Sequence, residues 1–209
     1  MKTKEQLLLE PILKNSYDIS SSKIVGIYAF GSITYGTQTE TSDSDYVVIV
    51  DMIEDYIQYE SIDIDIHIVS INHYKALLDK HDIMSLEVYF NPYPIMKFEI
   101  DFTIDLIKLR HSISSVVSNS WVKAKKKCIL ENEDSWIGVK SCFHAIRILD
   151  FGIQIAKYGK IVSYTNTTPL WFDILKMVDN DVNMIDIMNY YKPQQNANAT
   201  IFKKLAPKK

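Results

Sequence analysis

Strand-forming runs crowd into the first 70 residues of the chain and all but vanish after residue 104. Residues 23–30, 46–51 and 61–70 are rich in Ile, Val and Tyr and are bounded by Gly, Ser, Thr and Asp, the usual punctuation of strands. From residue 104 onward, apolar side chains recur at helical spacing over 104–130, 134–158 and 168–178, the middle segment closed by Gly159. Shorter helices are predicted over 4–14, where Pro11 should kink or shorten the segment, and over 71–80 and 82–91, the last stopped by Asn91-Pro92-Tyr93-Pro94. The Gln/Asn-rich stretch near the C-terminus, ending in Lys203-Lys204 and Lys208-Lys209, predicts a frayed or exposed arm. The expected fold class is therefore α+β: a small mixed β-sheet with flanking helices over residues 1–103, then a helical domain with a basic tail over 104–209.

The 209 residues suffice to bury a sizeable core, and 47% hydrophobic with 23% charged residues is the balance of an ordinary soluble globular protein. A net charge of −3 argues against a chain that coats nucleic acid by bulk electrostatics, although the unevenly placed lysines allow a local basic groove. Cys128 and Cys142 have no metal-ligand spacing and read as reduced, buried thiols. No apolar run approaches the ~20 residues of a membrane span, and no signal peptide opens the sequence, so an intracellular, cytoplasmic protein without a membrane partner is expected. Oligomeric state is not encoded in any recognisable pattern.

The segment over residues 31–50 carries the chemistry. A Gly31-Ser32 turn follows one apolar run, and Asp43 and Asp45 sit one residue apart at the mouth of the next. Alternation along a strand points positions 43 and 45 the same way. Two carboxylates at roughly 4 Å and an effective dielectric of about 20 repel by about 4 kcal/mol, a cost that a divalent cation between them and a substrate phosphate removes. Gly31 lets backbone approach phosphate closely, and Ser32 adds a hydroxyl. Residues 61–70 alternate cleanly, placing Ile62, Ile64, Ile66 and Ile68 on one face and Asp63, Asp65, His67 and Val69 on the other. That polar face offers a third carboxylate, Asp63 or Asp65. His67 is expected to be a hydrogen-bonded structural group.

The pattern Gly31-Ser32-x-x-x-Gly36-x₅-Ser42-Asp43-x-Asp45 resembles the signature of the DNA polymerase β-like nucleotidyltransferase superfamily, which includes aminoglycoside and minimal nucleotidyltransferases. With Tyr35 before Gly36 and Tyr46 after Asp45, it is most similar to the predicted nucleotidyltransferases associated with RNA ligases. Softer similarities follow in the run from Asp65 to Tyr74, in Ser85-Leu-Glu-Val-Tyr-Phe90, in His144-Ala-Ile-Arg147 and in Lys157-Tyr-Gly159-Lys160, so that the resemblance touches most of residues 24–160. It implies the nucleotidyltransferase fold, Gly31 and Ser32 as the triphosphate turn, and Asp43 and Asp45 as catalytic metal ligands. The third ligand falls best on Asp65. Ser44 and Val47 depart from the family's common residues, and neither removes a required ligand.

Lys140, His144 and Arg147 lie at i, i+4 and i+7 on a predicted helix and span roughly 10 Å, comparable with a triphosphate. They are candidate nucleotide-binding residues that clamp the leaving pyrophosphate; the alternative packs His144 between helices and leaves the cations solvated. Lys123, Lys125, Lys126 and Lys127 beside Trp121 form a basic–aromatic run that suits single-stranded nucleic acid or merely a solvated helix face. The expectation is a nucleotidyltransferase that uses Mg²⁺, with Mn²⁺ as substitute. It would move a nucleoside monophosphate from a triphosphate such as ATP to an acceptor hydroxyl, with an RNA end favoured, in a cleft between the domains. The competing expectations are a nucleotide-binding regulatory or antitoxin-like module, or transfer of the nucleoside monophosphate to a protein or a small molecule.

Overall fold

The computed structural model describes residues 2–52, 56–127 and 135–208. The chain divides into two compact units, Met1–Thr103 and Ile104–Lys209. Together they form an α+β protein: a four-stranded mixed sheet with flanking helices in the first unit, and helices in the second. Cys128 and residues 129–134, the end of the segment predicted over 104–130 and the start of that over 134–158, lie outside the described residues.

The first unit opens with α1 (Lys4–Tyr17), started by a capping box between Thr3 and Gln6. Pro11 sits inside α1 and does not end it. Leu9 and Leu13, four residues apart, are fully buried, and this shared anchoring face outweighs the one hydrogen bond that Pro11 removes. Strands β1 (Ile24–Phe30), β2 (Ser44–Val50), β3 (Tyr56–Glu60) and β4 (Ile64–Ser70) form a sheet in the order β1-β2-β4-β3. The β2–β4 pair is parallel, and the two outer pairings are antiparallel. One face of the sheet, built from Ile24, Ile27, Tyr46, Val48, Val50, Ile66 and Ile68, packs with Leu9 and Leu13 of α1 into the main core of this unit. Helix α2 (Gly31–Tyr35) follows β1 directly. Ser70 ends β4 and caps α3 (Ile71–Asp79) by accepting from the His73 N–H at 3.1 Å, so strand passes into helix without a loop. Asp82 caps α4 (Ile83–Phe90) in the same way.

Two expectations for this unit are corrected. Strand β3 lacked a sequence expectation, and the run over 61–70 contributes strand only from Ile64. Residues 61–63 form the connection between β3 and β4 instead, where the Ser61 N–H donates to the Ile64 carbonyl. Ile62, assigned above to the apolar face, is accordingly 95% exposed. Asp63 thereby leaves the strand, and its backbone carbonyl accepts from the Ser44 N–H at 2.8 Å.

The second unit contains α5 (Leu106–Lys125), α6 (Ser135–Tyr158), α7 (Thr168–Asp179) and α8 (Met184–Leu205). Asp105 caps α5, and α6 ends at Gly159 in the left-handed region, φ 71°, with its N–H on the Ile155 carbonyl. The core gathers Ala124, Phe143, Ile146, Trp171, Ile174, Ile187, Met188 and Tyr191. The predicted frayed arm is instead the 22-residue helix α8. Its Gln/Asn-rich sequence hides a stripe of Ile187, Tyr191, Gln195 and Phe202 that is buried, and Pro193 falls on the exposed side. Arg110 of α5 fastens the far end, donating to the carbonyls of Lys203 and Ala206 at 3.2 and 2.7 Å. No helix among the described residues is long and apolar enough to cross a membrane.

Candidate active site

The site grows from the C-terminal end of β1. Register pairs Phe30 with Asp45 across β1–β2, Asp45 with Asp65 across β2–β4, and Asp65 with Glu60 across β4–β3. Side chains opposite one another in register share a face, so one row of the sheet reads Phe30, Asp45, Asp65, Glu60. The face is the one turned away from α1, since the alternate residues Tyr46 and Ile66 lie in the α1 core. Three carboxylates therefore stand side by side on adjacent strands, a repulsive arrangement in the absence of positive charge.

The chain turns sharply at Gly31, whose φ is +66°. A Cβ there would stand 1.8 Å from Asp45 Oδ2 and 2.6 Å from Asp45 Cγ, so the bare backbone is what lets the carboxylate lie against the turn. Next to it, the Ser32 hydroxyl is buried and has no hydrogen-bond partner among the described residues. A buried hydroxyl without a partner costs about 1–3 kcal/mol, and a phosphate oxygen is a suitable acceptor for it. The turn itself is well tied: Thr34 Oγ1 and Asn91 Nδ2 both donate to the Ala29 carbonyl, at 3.1 and 3.2 Å. The Tyr35 hydroxyl at the end of α2 donates to the buried Glu87 carboxylate of α4.

The loop leading to Asp43 is shaped by Ser42 of the motif, whose hydroxyl accepts from the Thr39 N–H at 2.9 Å. Asp43 precedes β2 and is exposed, whereas Asp45 and Asp65 are partly buried. Among the described residues, no three His, Cys, Asp or Glu side chains converge as a metal-ligand set. Asp45 and Asp65 provide adjacent hard oxygen donors of the kind Mg²⁺ takes, and Asp43 lies outside the paired residues of β2.

Strand β3 brings residues that the sequence reading missed. Gln58 Nε2 donates to both Asp65 oxygens, at 3.2 and 3.1 Å, and to Glu60 Oε1 at 2.7 Å, so one neutral amide holds two carboxylates in place. Tyr56 contacts His67 Nδ1 through its hydroxyl at 2.7 Å, and His67 Nε2 lies 3.8 Å from Asp65 Oδ2. The alternation Tyr56-Ile57-Gln58-Tyr59-Glu60 was the signal for this strand; its polar members face the site, and its apolar members are half-buried on the other side.

The other candidate nucleotide-binding residues lie on α6 of the second unit. Lys140 is exposed, with its Nζ 5.6 Å from the centre of the Trp136 ring. Arg147 is 7% exposed; its guanidinium lies within hydrogen-bond distance of His144 Nδ1, at 3.0 Å, and 5.8 Å from the Phe151 ring centre. Burial, reinforced by Arg147 and Lys123, pushes His144 down to a pKa of about 3. His144 is therefore neutral at physiological pH, and the stripe offers two cations rather than three. In the lysine run, Lys123, Lys125 and Lys126 are exposed, while Trp121 packs against the core of the second unit.

No protein-family model matches this chain, and no curated protein does. Among solved structures, the chain is similar to the crystal structure of a nucleotidyltransferase-like protein from Exiguobacterium sibiricum 255-15, with 11% sequence identity and a TM-score of 0.39, over 96% of this chain and 78% of that one.

Proposed function

We propose that the chain is a Mg²⁺-dependent nucleotidyltransferase that moves a nucleoside monophosphate from a triphosphate to an acceptor hydroxyl and releases pyrophosphate. One observation carries the reading: the Asp45 carboxylate lies against the Gly31 turn, beside the orphaned Ser32 hydroxyl and in register with Asp65. In this reading the Gly31–Ser32 turn receives the triphosphate, with the Ser32 hydroxyl donating to a phosphate oxygen. Asp45 and Asp65, with Asp43 as the third oxygen donor, would hold Mg²⁺, which when bound supplies charge stabilisation on the reacting phosphate. Asp65 also accepts the proton of the attacking hydroxyl, with Gln58 fixing the orientation of its carboxylate. Lys140 and Arg147 of the second unit are candidate phosphate-binding cations on the sequence motif, and His144 accepts from the Arg147 guanidinium through its neutral ring. An RNA end is the favoured acceptor, on the resemblance of the Gly31–Asp45 motif to RNA-ligase-associated nucleotidyltransferases.

The test is incubation with each labelled triphosphate, Mg²⁺ or Mn²⁺, and total RNA, followed by identification of what becomes labelled. Asp45→Ala and Asp65→Ala should abolish transfer while leaving the circular dichroism spectrum unchanged; full activity in either variant removes the mechanism.

A specific observation favours a second reading, a nucleotide-binding module without turnover: Asp43 is exposed, and among the described residues no three acidic, histidine or cysteine side chains gather as a ligand set. That reading expects triphosphate binding by calorimetry with no transfer to any acceptor, and no loss of binding in Asp43→Ala.

A further inference from the structure

A cleft of about 410 Å³ opens in the second unit, lined by α5 and α8 with Leu149 of α6. Its volume is that of a small-molecule site. Half of the lining residues are apolar or aromatic, including Val117, Trp121, Leu149 and Phe202, and Lys192 and Lys203 belong to the lining as well.

Gln195 makes this cleft more than a packing gap. It lines the cleft, is only 7% exposed, and donates through Nε2 to the Ala145 carbonyl at 3.3 Å. That bond fixes which end of the amide is which. The end left over is the carbonyl oxygen, Oε1, which is buried without a hydrogen-bond partner among the described residues. An unmet buried acceptor of this kind is destabilising, and a ligand N–H relieves it. The lining lysines add the second requirement. Lys192 lies three residues before Gln195, about 4.5 Å along the helix axis, and Lys203 lies eight residues after it, about 12 Å. Trp121 adds the third, a flat aromatic surface on which a ring can stack.

We propose that this cleft binds a nucleotide: a planar heterocyclic base against Trp121, a base N–H donating to Gln195 Oε1, and the phosphate on Lys192 or Lys203. The assignment rests on the second unit alone and stands or falls independently of nucleotidyl transfer at Asp45 and Asp65. The same chemistry is presented by a free nucleoside monophosphate and by the terminal nucleotide of an RNA strand.

Calorimetry on the full chain with AMP, adenosine and phenyl phosphate tests each element separately. AMP, which has ring, donor and anion, should bind roughly tenfold tighter than adenosine, which lacks the anion, or phenyl phosphate, which lacks the N–H donor. Lys192→Ala or Lys203→Ala should weaken AMP roughly threefold to tenfold and leave adenosine unchanged. Both lysines are exposed, so these variants fold. Gln195→Leu should erase the preference for AMP over phenyl phosphate. Asp45→Ala should leave AMP binding intact. A short oligonucleotide ending in adenosine that outcompetes AMP identifies the RNA terminus as the source, and a weaker one identifies the free nucleotide; either supports the site. Absence of AMP binding overturns the proposal, as does phenyl phosphate binding as tightly as AMP, or AMP affinity that depends on Asp45 and on neither lysine.

Discussion

Gly31 and Asp45 are interlocked: the carboxylate occupies the volume that a side chain at position 31 would fill, with Oδ2 1.8 Å from the site of a Cβ. Gly31→Ala therefore meets two penalties at once. The left-handed backbone costs an alanine about 1–2 kcal/mol, and the methyl group drives the Asp45 carboxylate off the turn. The variant should lose stability by that order in chemical denaturation and lose triphosphate binding almost entirely. Wild-type binding by Gly31→Ala is incompatible with the turn as the phosphate seat.

Asp65 stands between Asp45 and Glu60 in register, so it is the carboxylate with the most like-charged neighbours. Asp65→Asn keeps the shape and removes the charge. Added Mg²⁺ should raise the midpoint of the parent and have little effect on the variant. An identical Mg²⁺ response in both proteins means that Asp65 takes no part in cation binding.

Tyr35 and Glu87 join α2 to α4 through a buried hydrogen bond. Tyr35→Phe leaves the carboxylate one donor short and should cost about 1–3 kcal/mol. In a double-mutant cycle with Glu87→Gln the coupling should exceed about 0.5 kcal/mol. Because α2 is the segment that presents Ser32, the single variants should also raise KM for the triphosphate more than they lower kcat. Additive losses of stability would show that the pair does not act as a unit.

His144 makes the stability of the protein depend on pH. Its native pKa of about 3 lies below the 6.5 of the unfolded chain, so between those values the unfolded state binds the extra proton. The contribution of this group is complete above pH 6.5 and is lost as pH falls toward 3, at up to about 1.4 kcal/mol per pH unit. Denaturation midpoints should therefore drop between pH 7 and pH 5, and His144→Gln should flatten that slope. An unchanged slope in the variant assigns the acid sensitivity to other groups.

Strands β1, β2 and β4 were legible because they alternate or run apolar over seven residues, and α3 to α7 because their apolar stripes have helical spacing and are bounded by caps such as Ser70, Asp82 and Asp105. Strand β3 escaped because it is five residues long and lies at the end of the sheet, where only Ile57 and Tyr59 need to be apolar. Its omission also hid Gln58 and Glu60 and blurred the choice between Asp63 and Asp65. Register puts Asp65 opposite Asp45, while Asp63 lies before the strand. Helix α8 was misread from composition: its Asn residues and Pro193 have poor helix propensity, but tertiary burial of Ile187, Tyr191 and Phe202 overrides it. The Gly31–Asp45 motif displayed its residue types, but not that Asp43 and Asp45 differ in exposure.

Strand β3 closes one end of the sheet, and its side chains hold Asp65 through the single amide of Gln58. An end strand exchanges its amide protons by local opening more readily than the strands inside. Each such opening withdraws Gln58, Glu60 and Tyr56 together from the carboxylate row. Hydrogen–deuterium exchange over residues 56–60 is thus a direct gauge of how often Asp65 is released from its neighbours, and a ligand that neutralises the row should slow that exchange without touching β3 itself.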